Sequence, residues 1–222
     1  MSEEVRPLND LRLKTPRAAA VAGILFAVLH ITANLLIRLS IPSNPTEGNF
    51  LLEEQARNVA LGLSLVPIGG ITFLWFIGVL RDRMGELEDR FFSSVFFGSG
   101  LLYLAMMFIS GALAGGILTS YVLEPDLLIS NGIYTFSREV MFTITNVYAI
   151  RMAGVFMISL GTIAVRTRIM PRWLTFLTYS MALFLLVSIG LNFWVTLIFP
   201  GWVLVVSFYI LVLNLHKKDA EA

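Results

Sequence analysis

The chain has no cysteine and only two histidines among its 222 residues. The first absence excludes a disulfide framework, a thiolate metal site and a cysteine nucleophile. With His30 and His216 alone, a multi-histidine zinc site is also out of reach. Charge is scarce as well. Asp, Glu, Lys and Arg make up 14% of the residues, against about a quarter in a soluble domain. Sixteen basic and 15 acidic side chains leave a formal net charge of +1, so there is no basic field for nucleic acid. Apolar residues are abundant: 57% of the chain is hydrophobic and the mean hydropathy is +0.80. This excludes a disordered chain and indicates an all-α, polytopic membrane bundle.

A spanning helix needs about 20 apolar residues to cross about 30 Å of hydrocarbon. Four runs meet this: Ala18 to Ile37, Val59 to Leu80, Phe91 to Leu123, and Val140 to Val165, the last interrupted only by Arg151. A fifth, Trp173 to Leu215, has 43 residues without a charge, about 65 Å as one helix and twice a bilayer. Its strong breaker is Pro200-Gly201, and proline is tolerated in the first turn of a helix, which predicts a tight turn near Trp194 to Pro200 and two spans, hence six in all.

The charges give an independent orientation. With the N-terminus inside, the inner segments hold Arg6, Arg12, Lys14, Arg17, Arg81, Arg83, Arg90, Arg166, Arg168, Arg172, Lys217 and Lys218, and the outer ones only Arg38, Arg57 and Arg138. Cytoplasmic loops are enriched in Lys and Arg, so both termini are expected in the cytoplasm. The first apolar stretch is longer than a signal peptide's and is followed by Arg38 in place of a small-residue cleavage site, which predicts an uncleaved first helix. The expected organisation is a cytoplasmic segment over 1–17, a single six-helix transmembrane domain over 18–216 and a cytoplasmic tail over 217–222.

An ionisable side chain within hydrocarbon costs a few kcal/mol or more, so it faces the bundle interior or water and finds a partner. Arg151 lies roughly 16 Å from the outer end of its span by helical rise. Counted at 100° per residue, Tyr148, Ser159 and Thr162 share its face. On the first span His30, Asn34 and Arg38 stand at i, i+4 and i+8, a ladder suited to a wet cavity. Glu53 and Arg57 form a favourable i,i+4 pair at the start of the second span, and Pro67, Gly69 and Gly70 loosen that helix. The third span carries Ser99, Tyr103 and Ser110 on one side and the small residues Gly111 and Gly115 on another, a face for close helix packing. Asn146 and Asn192 add polar groups at similar depth.

Most of these polar groups fall in the outer half, which predicts an outward-opening polar pocket closed below by apolar packing. Its expected ligand-binding residues are Arg151, Tyr148, His30, Asn34 and Asn192, and its excess of arginine points to a small anionic or lipid-headgroup ligand. Arg151 has a second reading, in which it pairs with a carboxylate or helix-end carbonyls and serves packing alone. A bis-histidine haem within one chain is excluded, because His216 lies at the far end of the last span. No cofactor, no metal site and no catalytic residues are expected, since no motif sets a nucleophile beside a base.

The stretch from Val66-Pro67-Ile68-Gly69-Gly70 through Arg81-Asp82-Arg83-Met84-Gly85 to Phe91-Phe92, with the opening Arg17-Ala18-Ala19-Ala20-Val21-Ala22-Gly23-Ile24, resembles a family of uncharacterised bacterial six-helix integral membrane proteins. That resemblance covers the first half of the chain, implies a bacterial plasma (inner) membrane and supplies no function. Gly78, Leu80, Asp82, Arg83 and Gly85 also resemble the G-x-L-x-D-R-x-G loop of one half of a major facilitator transporter, where Glu86-Leu87 replaces the basic pair. A lone half of this kind implies a homo-oligomer. The functional expectation is a ligand-binding or carrier-like membrane protein with its pocket around Arg151; the alternative is an accessory or structural subunit of a membrane complex, without a ligand pocket.

Overall fold

A computed structural model describes residues 15–42, 53–84, 90–130, 132–167, 170–188 and 193–219. Within these residues the chain forms the helices α1 (Thr15–Ser40), α2 (Glu53–Met84), α3 (Arg90–Leu123), α4 (Pro125–Ser130) and α5 (Ile133–Thr143). A π-helical segment, Ile144–Ala149, joins α5 to α6 (Ile150–Thr167). α7 (Arg172–Val187), a 3-10 turn at Phe193–Leu197 and α8 (Ile198–Asp219) complete the chain. Five stretches are long and apolar enough to cross a membrane: Ala18–Ser40, Glu53–Arg81, Phe91–Leu123, Ile133–Arg166 and Trp194–Leu213. α7 is apolar but shorter, at 16 residues, about 24 Å of rise. The protein is a multi-pass, all-helical membrane protein.

α1 packs against α2 and α8, α2 against α3, α3 against α5 and α6, and α7 against α6. Arg38, the start of α2 and the start of α5 share one end of the bundle, and Arg166 and the start of α7 share the other. Two cores result. The larger is built on the aromatic rings of Phe26, Phe73, Phe76, Phe156, Phe199 and Trp202. A smaller one, at the Arg38 end, gathers Ile41, Val59, Ile117, Leu128, Tyr134 and Met141. Large exposed side chains such as Trp75, Phe176 and Phe208 are the surface that hydrocarbon can solvate.

Several expectations about individual elements change. The long apolar run breaks before Trp194: α7 ends at Val187, Ser188 is extended (ψ 122°) and Pro200 lies within the first turn of α8. Proline there lacks only an amide that the first turn leaves unused, as expected for Pro200, whereas the residues of the expected turn from Trp194 onward are already helical. The fourth long helix starts at Ile133, earlier than Val140, after Gly132 takes the left-handed conformation (φ 68°) at its N-cap. α2 runs unbroken through Pro67; beyond it the Thr72 hydroxyl donates to the Gly69 carbonyl (2.8 Å). Gly70 admits the Phe108 ring, which would stand 2.5 Å from an added Cβ. Gly111 packs against Val66 and Leu63, as the small-residue face of the third span predicts. Glu53 and Arg57 are both exposed and do not pair with each other.

Candidate functional site

A cavity of about 50 Å³ lies at the seam between the two cores, walled by α1, α3, the π-helical segment with its flanking turns, and the start of α8. A water needs roughly 10–15 Å³ of such space, so the volume suits a few waters or a compact polar group. Its polar lining comes from His30, Asn34 and Arg38 of α1, Tyr103 and Ser110 of α3, Thr145 of the π-helical segment, and Thr196. Phe199, Ile150 and Ala153 supply apolar wall.

His30 is 7% exposed and holds the centre of this wall. The Tyr103 hydroxyl and the Asn34 Nδ2 each lie 2.8 Å from its Nε2. An amide nitrogen can only donate, so Nε2 accepts from both and the proton sits on Nδ1. Asn34 Nδ2 also reaches the His30 carbonyl (3.1 Å), which fixes its rotamer along the helix. Phe26 stacks on the imidazole at 5.3 Å between centroids, and Tyr103 meets the Phe199 ring edge-on at 4.6 Å. Aromatic packing thus locks both partners of the His30–Tyr103 bond, and a buried polar pair held this way stays in one geometry.

On the opposite wall Ser110 and Thr145 hydroxyls are 2.9 Å apart, and Thr145 donates to the Met141 carbonyl (2.9 Å). The π-helical segment brings Thr145 and Ala149 to the cavity together; its i→i+5 bonding accommodates an additional residue in the turn, an arrangement frequent at functional sites. At the Arg38 end the Arg38 guanidinium lies 3.2 Å from the Phe142 ring centroid and Arg138 4.2 Å from the same ring. Arg138 is also paired with Glu139 at 2.9 Å. Tyr134 donates to the Pro42 carbonyl and ties α5 to the end of α1.

The structure brings His30 and Asn34 of the expected set into this cavity and leaves Arg151 and Tyr148 out of its lining. Tyr148 is 53% exposed. Arg151 is half-buried and donates to the Val147 carbonyl at 2.6 Å; among the described residues it has no carboxylate partner. Asn192 lies outside the described residues. Counting at 100° per residue fails across Ile144–Ala149, because the π turn shifts the phase of everything before it relative to α6. Ser159 turns back to the Val155 carbonyl, and Thr162 meets the Tyr179 hydroxyl of α7 (2.9 Å), so the expected polar stripe serves separate contacts. Tyr103, Ser110 and Thr145 line the cavity as well, beyond the expected set. For Tyr103 and Ser110 the signal in the sequence was the hydroxyl face of the third span, which meets His30 of α1 and Thr145 of the π-helical segment; Thr145 had no such signal.

Among known proteins, the chain is 27% identical over 114 residues to one component of the Na(+)-translocating NADH-quinone reductase of Serratia proteamaculans (strain 568). The match covers 51% of this chain and 52% of that component, so the chain spans about half the length of the curated relative it matches. No family model matches the chain, and no solved structure matches it. The chain is therefore a multi-pass helical membrane protein with weak similarity to one component of a Na(+)-translocating NADH-quinone reductase.

Proposed function

We propose that the protein is a ligand-binding, carrier-like membrane protein whose site is the cavity around His30, and that its ligand presents a small anionic group. One observation carries this reading: among the described residues the lining holds one charged side chain, Arg38, together with hydroxyls, an amide and an imidazole, and no carboxylate. The charge in that lining is positive, which favours an oxyanion over a cation. In the proposed orientation both termini are cytoplasmic, α7 makes a sixth crossing, the membrane domain occupies 18–216, and the cavity lies in the outer half of a bacterial plasma membrane. The test is thermal unfolding of the purified protein with inorganic phosphate, sulfate, acetate and bicarbonate in turn. At least one should raise the melting temperature of the wild type and lose its effect in Arg38→Gln and His30→Leu. No shift with any anion, or a shift unchanged in both variants, would overturn the reading.

A second reading is favoured by the relative, itself a subunit of a reductase: the chain acts as an accessory or structural subunit of a membrane complex. Extraction in mild detergent followed by native electrophoresis tests it. A particle larger than the 24.7 kDa chain with its detergent supports assembly; a lone monomer counts against it.

A further inference from the structure

We infer that a second site, the groove between the end of α6 and the start of α7, holds an anionic phospholipid with its headgroup on Arg172. The groove is open along one side and has a volume of about 750 Å³. Its walls are Val165, Met170 and Phe176, and Tyr179 closes its deep end by bonding to Thr162 at 2.9 Å. Arg172 stands exposed at the rim, and among the described residues the lining includes no acidic residue to neutralise it.

The depth of the groove in the membrane follows from its neighbours. Trp173 is 58% exposed, beside the groove at the start of α7, and Trp is enriched at the headgroup level. Phe176, one turn on, is 75% exposed and opens the groove sideways to hydrocarbon. An occupant must therefore be apolar on the Val165–Phe176 side and anionic on the Arg172 side, and these are the two halves of an anionic phospholipid. Basic pockets between membrane helices bind such headgroups. This site shares no residue with the His30 cavity and does not depend on the function proposed for it.

The experiment is native mass spectrometry and thermal unfolding of the full chain in detergent. The ligands are phosphatidylglycerol, phosphatidylcholine with the same acyl chains, or glycerol 3-phosphate alone. Phosphatidylglycerol should stabilise the wild type by several degrees more than phosphatidylcholine, with glycerol 3-phosphate ineffective. Arg172→Gln should bring phosphatidylglycerol down to the phosphatidylcholine level, and Val165→Trp, which fills the groove, should lower the number of lipids retained. Arg81→Gln, an exposed arginine at the same end of the bundle, should leave the preference intact. Equal stabilisation by both lipids, stabilisation by glycerol 3-phosphate alone, a preference that survives Arg172→Gln, lipid retention unchanged in Val165→Trp, or an equal loss in Arg81→Gln would each overturn the site.

Discussion

His30 is sustained inside the bundle by two donors at one nitrogen, and each has a measurable consequence. Tyr103→Phe removes the hydroxyl and keeps the ring packing against Phe199. It should lower stability by about 0.5–1.5 kcal/mol, the net worth of one hydrogen bond, since Nε2 keeps Asn34, and weaken the oxyanion response; chemical denaturation and anion titration check the two effects. Arg151→Met should behave differently. The guanidinium bonds a carbonyl of the π-helical segment outside the cavity, so its loss should lower the melting temperature in the absence of any ligand, by the equivalent of about 1.5–3 kcal/mol for a charged hydrogen bond, and leave the anion response intact. Loss of the anion response with stability unchanged would move the site to Arg151.

Among the elements, α1 and α8 cross so closely at Gly23 that a Cβ there would collide with the Ser207 hydroxyl and come within 2.8 Å of the Phe76 ring. Both Ser207 and Phe76 are fully buried and neither can withdraw. Gly23→Ala should therefore destabilise the protein by roughly 1–3 kcal/mol through overpacking. Gly78 provides the control, since nothing lies within 4 Å of its would-be Cβ. Gly78→Ala should be neutral or stabilising by up to about 1 kcal/mol, because alanine loses less backbone entropy in a helix. Paired denaturation curves decide both.

At the scale of the whole molecule the crossing number turns on α7, whose 16 residues rise about 24 Å against a hydrocarbon thickness of about 30 Å. Six crossings with both termini inside predict that cysteines introduced at Thr46, Leu127 and Trp194 react with an impermeant thiol reagent from outside intact cells. Those at Gly85 and Met170 should be protected. If α7 turns back without crossing, Met170 and Trp194 will label alike, and the last helix will have the opposite direction.

The apolar runs and the absence of cysteine were enough, in the sequence alone, to give the helical membrane class and the approximate extents of the first three spans, because hydrocarbon demands long self-bonded helices whatever their neighbours. The ladder His30-Asn34-Arg38 was equally legible, since all three lie in an unbroken α-helix where the 100° count holds. The tertiary structure decided the rest. A π turn has no signature in residue type, and the π-helical segment brings Thr145 to the cavity, whereas Arg151, in the α-helix after it, lies outside the lining. The cavity itself exists because two cores pack separately on either side of it, and that mismatch depends on contacts between helices far apart in the chain. The end of α7 at Val187 was likewise decided by the tertiary structure, since no proline marks it, whereas Pro200 sits in the first turn of the last helix, where its missing amide is not needed, as the sequence predicted.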